Sequence, residues 1–408
     1  MPSQYSSYDH RSVGRELDLF CSDELVGAGL PMWLPDGAIV RDTLARWIVD
    51  LERSHGDQHV CSPPIAKRAL YEISGHWDHY ADGMWPPMRM GDEEYVLRPM
   101  NCPHHILLFR HQRRSYRELP LRFAELGTMF RNELSGAIGG LSRVRCMTLN
   151  DAHAFCTPEQ VAAEISGALA MIEAAYADLG LGSHRYRLSC RGDGDKYVAD
   201  DALWARATSV LRDVLADSGV EYFEADDEAA FYGPKIDVQL AGAHGREETV
   251  STIQVDLLLP ERFDLTYLDA NDERQRPVIV HRSVISTLER MVAHLVDRHG
   301  PALPPWLAPR QVVVLPVSAA HDADADGLAA RLRAAFLRVE VDRDGTLGAR
   351  IAAHRAAVPW LAVVGEREAA GNTVAVRARD GRQFAVDQGA FVGAASNIVA
   401  AHGHDLGV

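Results

Sequence analysis

The chain has 408 residues, enough for two or three domains with sizeable cores, and 47% of them are hydrophobic and 24% charged, as in water-soluble globular proteins. No apolar run approaches the roughly 20 residues that a membrane span needs. The net charge of −15 argues against non-specific nucleic-acid binding over the whole surface but leaves room for a local basic patch.

The first residues, MPSQYSSYDHRSVGREL, show no apolar signal segment, and the six cysteines (Cys21, Cys61, Cys102, Cys146, Cys156 and Cys190) lie far apart. Together these predict reduced thiols and a cytoplasmic location. Residues 39–56 have apolar side chains at helical spacing. Strand patterns follow over 94–100, 121–133 and 142–155. A helix is predicted over 159–180, with Thr157 and Gln160 as its capping box and Pro158 at the tolerated first position. Further strand patterns occupy 185–190, 235–242, 250–260 and 277–283. Strands separated by long excursions predict an α+β fold, an antiparallel sheet with flanking helices. The stretch GPALPPWLAPRQ (300–311) has four prolines in twelve residues, fits neither helix nor central strand, and divides the chain into 1–303 and 304–408. Beyond it come a strand at 312–317, a helix near 323–337, a strand at 338–342, a helix at 347–357, a strand at 360–365, a hairpin over 372–386 turning at Asp380-Gly381, and a helix over 387–401. That pattern is a small α/β domain with a mixed sheet.

Three stretches hold candidate chemistry. FRNELSGAIGGLSRVR (130–145) reads as a strand ending in Arg131 and Glu133, a glycine-bearing loop, and a return through Arg143 and Arg145. Alternation puts each pair on one sheet face. Arginine forks suit phosphates and carboxylates, but a hairpin with cross-strand ion pairs is the plainer reading, slightly favoured by spacing alone. VIVHRSVISTLERMVAHL (278–295) runs from an apolar strand into a helix carrying Glu289 and Arg290. These two either reach anions over the sheet or form a solvated surface pair, the commoner fate. RPMNCPHHIL (98–107) puts Cys102 and His105 at i, i+3. No second close ligand pair exists, which argues against a self-contained zinc finger, and a lone cysteine in apolar surroundings is most often inert core. His153 and His281 could complete an open three-ligand site, though nothing in the spacing selects them among 18 histidines.

Those stretches, with SGHWDHYADGMW (74–85), AFYGPKIDV (230–238), STIQVDLLLPERF (251–263) and PPWLAPRQVVVLPV (304–317), resemble in collinear order the bacterial threonyl-tRNA synthetases, over Asp9 to Ala400. The resemblance implies a class II catalytic domain followed by an anticodon-binding domain, acting on threonine, ATP with Mg²⁺, and tRNA(Thr). It implies that Arg131 holds the threonine carboxylate and α-phosphate, Glu133 the adenine amino group, Arg143 the ATP and Arg290 the γ-phosphate. Cys102, His153 and His281 fall where the family binds one Zn²⁺ per subunit. Met100, Asp151, Tyr232, Lys235 and Gln254 fall around the amino acid, and His76 near the terminal ribose, where it assists transfer. Residues 29–64 resemble the motif that builds a homodimer.

An open metal position would reject valine, which has no hydroxyl, but serine lacks only a methyl, worth about 1–3 kcal/mol. The sequence starts almost directly at the core, without the family's usual N-terminal TGS and editing domains, so the expectation is serine activation without clearance in cis. Several positions depart from the family: Leu149, Asn150, Thr249 and Ser286 near the site, and Leu134 after RNE. Helix 347–357 has alanines where the family is basic, which predicts weaker tRNA contacts. A paralogue that activates threonine or a related amino acid for a non-tRNA acceptor, in a biosynthetic or resistance role, is the alternative. A catalytically dead module fits the retained residues least.

Overall fold

The computed structural model describes residues 8–194, 197–241 and 247–403. Its larger sheet has eight strands: β1 (Gln58–His59), β2 (Leu121–Phe130), β3 (Cys146–Cys156), β4 (His184–Ser189), β5 (Tyr222–Ala225), β6 (Lys235–Ala241), β7 (Glu247–Asp256) and β8 (Val278–Ser283). They lie in the order β5-β4-β6-β7-β8-β3-β2-β1. Pairing is antiparallel from β4 to β2, and only the two edge strands, β5 on β4 and β1 on β2, run parallel. The predicted α+β architecture is the one observed. Gly242, the last residue of one predicted strand, lies outside the described residues.

Around this sheet lie α1 (His10–Glu16), α2 (Pro35–Ser54), α3 (Cys102–Arg110), α4 (Val161–Leu179), α5 (Asp201–Ser218) and α6 (Leu288–His299). Strand alternation gives each face its own cover. On one face Ile253, Val255 and Val280 meet Leu44 and Ile48 of α2, Ile165 and Ile172 of α4 and Met291 of α6. Each such aliphatic side chain contributes roughly 1.5–3 kcal/mol by leaving water. On the other face Phe123, Phe155 and Ile279 pack against Ile106 and Phe109 of α3, a smaller cover that leaves part of the sheet open as a cavity. The capping box of Thr157 and Gln160 forms as expected, ahead of α4. Helix α5 was not predicted; Asp200 caps it by accepting from Leu203 N at 2.9 Å, and it buries Leu203, Ala207, Leu211 and Leu215.

The C-terminal sheet comprises β9 (Val312–Pro316), β10 (Val339–Val341), β11 (Trp360–Val364), β12 (Thr373–Ala378) and β13 (Gln383–Asp387), ordered β10-β9-β11-β12-β13. The first three are parallel and the last two antiparallel, the mixed sheet expected. Helices α7 (Asp322–Ala334), α8 (Leu347–His354) and α9 (Gln388–Ala400) accompany it, with an unpredicted short helix at Glu366–Gly371. The proline-rich stretch before β9 is packed and is no loose tether. Leu303, Trp306 and Leu307 are buried with the first core, and the Trp306 ring lies 5.4 Å from that of Trp47 in α2. Among the described residues all six cysteines are free thiols, and no helix is long and apolar enough to cross a membrane.

Candidate active site

Alternate residues of β3 (Met147, Leu149, Asp151 and His153) share one sheet face. Register then aligns Phe123, His153, His281, Gln254 and Lys235 in one row across β2, β3, β8, β7 and β6. Helix α3 brings Cys102 over that row. One ligand atom each from Cys102, His153 and His281 lies within 4.8 Å of the others, and all three residues are buried.

The partners of the two imidazoles decide which ring atoms face inward. His281 Nε2 lies 2.9 Å from Asp256 Oδ2 and donates to it, which leaves a lone pair on Nδ1, 3.5 Å from Cys102 Sγ. His105 Nε2 lies 3.3 Å from Glu125 Oε2 and donates there, so its Nδ1 accepts from His153 Nδ1 at 2.8 Å. His153 Nε2 is then a lone pair, buried and without a hydrogen-bond partner, 4.0 Å from Asp151 Oδ1. A buried acceptor left unpaired is costly unless something fills it. One sulfur and two imidazole nitrogens, each ring steadied from behind by a carboxylate or a second imidazole, could hold a metal ion, and their chemistry fits zinc with a position left open. Burial, reinforced by the charge of His281, holds His153 well below the usual imidazole range. The sequence identifies none of the supporting residues Asp256, Glu125 or His105 as such; His105 stands there only as the residue at i+3 from Cys102. The i, i+3 relation of Cys102 and His105 does hold, but His105 acts behind His153 and is no ligand itself.

The cavity over this face measures about 190 Å³. Met100, Tyr232 and Gln254 line it beside Cys102 and His281. The Tyr232 hydroxyl donates to Gln254 Oε1. Burial, then the charge of Glu125, pushes the Asp151 carboxyl up to about 8. Moving along the strands at roughly 3.3 Å per residue leads to Leu149 and Thr249, and then to Arg131 and Arg290. A ligand along this path meets a thiol, an imidazole and the polar groups of Asp151, Tyr232 and Gln254 at one end and two guanidiniums at the other.

Other candidates sit around the rim. Lys235 holds its place in the histidine row but bonds Asp237 at 2.7 Å instead of lining the cavity. His76 lies behind Met100, Nε2 3.2 Å from its sulfur, and burial lowers it to about 3. Strand β2 ends at Phe130, so Arg131 and Glu133 lie in the loop beyond it and not on a common sheet face as expected; β3 likewise begins after Arg143 and Arg145. Glu133 Oε2 accepts from Arg143 Nε at 2.9 Å, so the plain ion-pair reading is also realised. The solvated Glu289–Arg290 pair is not. Glu289 is buried and accepts from Thr148 N at 2.9 Å, while Arg290 lines the cavity and donates to Ser142 O at 3.0 Å. Of the departures, Leu149, Thr249 and Ser286 line the cavity, Ser286 with φ of +57°. Asn150 faces the opposite side and bonds Glu52 of α2 at 2.9 Å. Leu134 is exposed.

Residues 87–299 match the tRNA synthetase class II core domain (G, H, P, S and T), and residues 311–396 the anticodon binding domain. Threonine--tRNA ligase 1 of Bacillus subtilis (strain 168) is 52% identical over 374 residues, 90% of this chain and 58% of that protein. The threonine--tRNA ligase of Streptococcus pyogenes serotype M5 (strain Manfredo) is 53% identical over 375 residues, with the same shares. The chain thus spans a little over half the length of these relatives. Among solved structures, the RNA binding domain of threonyl-tRNA synthetase from Cryptosporidium parvum Iowa II superposes with a TM-score of 0.91 at 34% identity, covering 97% of this chain and 99% of that one.

Proposed function

The chain belongs to the class II tRNA synthetases, and on that premise we propose that it activates L-threonine with ATP and transfers it to tRNA(Thr). The observation that supports this most is the convergence of Cys102 Sγ, His153 Nε2 and His281 Nδ1 at one end of a cavity whose other end presents Arg131 and Arg290. Cys102, His153 and His281 would hold Zn²⁺, which when bound supplies a Lewis acid able to take an amino group and a hydroxyl together.

The chain's own groups do the rest. Asp151 receives the substrate hydroxyl, and Met100, Tyr232 and Gln254 enclose the side chain. The carboxylate then points toward Arg131. In adenylate formation a carboxylate oxygen attacks the α-phosphorus and pyrophosphate leaves, so no protein base is needed. Arg131 and Arg290 stabilise the charge that spreads over the phosphates, together with the Mg²⁺ of ATP. Arg143 touches the nucleotide. The Arg143 pair uses Oε2 of Glu133, and we assign Oε1 to the adenine amino group. His76, behind Met100, is assigned to the transfer step, and Lys235 to the outer wall of the amino-acid site through Asp237.

The proposal extends to a cytoplasmic homodimer formed through residues 29–64, with residues 1–303 as catalytic and 304–408 as anticodon-binding domain. Leu25, Val26 and Met32, exposed beside or within that segment, suit a partner surface. Anticodon contacts should be modest: Arg350 of α8 is buried on the carbonyls of Pro316 and Asp342, not offered to RNA. The test is charging of a tRNA(Thr) transcript with threonine and ATP. Threonyl-tRNA is expected; adenylate formation without charging would move the acceptor elsewhere.

A further inference from the structure

Helix α1 stands outside the site just described, and its first residue, His10, is buried between α6 and the loop that links β2 to β3. His10 Nδ1 lies 3.1 and 3.2 Å from the two Asp297 oxygens of α6, and His10 N donates to Asp297 Oδ1 at 2.5 Å. Its Nε2 accepts from the backbone N–H of Leu141 at 3.2 Å. These partners set the tautomer, with the proton on Nδ1 toward Asp297 and the lone pair of Nε2 toward Leu141. The neighbouring Asp9 is occupied by the Arg11 guanidinium, so this Asp–His–Asp group has no spare face for a cation. Leu141 belongs to the loop between β2 and β3 that returns through Arg143. Gly140, with φ of +56°, permits the approach, since a Cβ there would lie 2.4 Å from His10 Nε2.

The same loop is gripped one residue later, where Arg290 Nε donates to Ser142 O at 3.0 Å. Both grips start from α6, one directly and one through His10. With Nε held on Ser142 O, the Nη groups of Arg290 are left to meet a phosphate, so the position of the loop and the aim of the guanidinium are coupled. We propose that His10 is a positioning residue for the ATP site: it relays Asp297 to Leu141 and keeps the loop bearing Glu133 and Arg143 in place while Arg290 engages the nucleotide. This rests on the ATP-dependent reading above.

Two variants separate the ends of the relay. His10→Asn keeps a side-chain N–H for Asp297 and loses the acceptor for Leu141. His10→Gln restores an acceptor at the Nε2 position. One hydrogen bond is worth roughly 3- to 10-fold. The expectation for His10→Asn is a rise of about that size in KM for ATP in ATP–pyrophosphate exchange, with KM for threonine and Tm close to those of the parent protein. Tryptic nicking after Arg143 and Arg145 in the ligand-free protein should quicken by a similar factor, and His10→Gln should reverse both effects. Unchanged nicking, unchanged KM for ATP, or a parallel rise in KM for threonine would overturn the proposal. Should His10→Asn fail to fold, Gly140→Ala strains the same contact from the loop side and is read identically. A parent protein without threonine-dependent exchange would refute the functional reading, and nicking with calorimetric ATP binding would then decide the relay alone.

Discussion

At the scale of single residues, His105 and Glu125 fix where the His153 lone pair points. His105→Ala should weaken zinc binding about 10- to 100-fold in a chelator competition, and unchanged affinity would show that the chain behind His153 is idle. Glu125 also closes a buried ion pair with Arg98, 2.9 Å away and 2% exposed. Burial alone would raise the Glu125 carboxyl, but hydrogen bonds from His105 and Ser62 and the charge of Arg98 outweigh it and lower it from 4.5 to about 2. A depressed carboxylate stabilises the fold above its unfolded value and loses that contribution as pH falls through the folded one. Glu125→Gln should therefore cost about 3 kcal/mol in denaturant unfolding at pH 7, with the gap to the parent narrowing between pH 4.5 and 2. A gap that does not change with pH would show that the charge on Glu125 is immaterial. The sequence made part of this legible. Cys102, His153 and His281 lie far apart in the chain, and local spacing left the cysteine as core; only the family resemblance brought them together. Asp256 and Glu125 carry no local signature, because their role exists only once β2, β3, β7 and β8 are in register.

At the scale of elements, β3 serves two faces. Its odd-numbered residues face the cavity, while Asn150 reaches the other way, donating to Glu52 of α2 and accepting from Val284 N and Ile285 N at 2.9 and 3.4 Å. Those two amides open the bend that leads through Ser286 to α6 and Arg290. Asn150→Leu should cost about 2–3 kcal/mol by stranding buried partners, and should slow exchange by displacing the start of α6. Full activity with a stability loss would confine Asn150 to the fold. Two-residue alternation made β2, β3, β6 and β7 readable, and helical spacing did the same for α2 and α4. Helix α5 had an equally plain signal in Asp200, Leu203, Ala207, Leu211 and Leu215, and escaped notice among irregular neighbours. The ends of β2 and β3 were overextended, because a hydrophobic pattern does not mark where Arg131 leaves the sheet.

At the scale of the molecule, the two sheets are joined by a packed connection. Arg379 beside β12 donates to Leu303 O at 2.9 Å, and the Trp306 ring packs tilted at 45° against that of Trp47, so the C-terminal sheet is anchored to the helix layer behind the cavity. On the proposed function, what the molecule does depends on which amino acid the cavity accepts. A site that binds a substrate hydroxyl rejects an analogue without one by roughly 10⁴–10⁵, but resolves a missing methyl by only about 10- to 200-fold. The most direct test is ATP–pyrophosphate exchange driven separately by threonine, serine and valine, in the parent protein and in Cys102→Ala. The account predicts strong exchange with threonine, a weaker but measurable rate with serine, almost none with valine, and loss of the threonine rate together with bound zinc in the variant. Exchange with valine within tenfold of threonine, or a Cys102→Ala protein that still activates threonine normally, would contradict it.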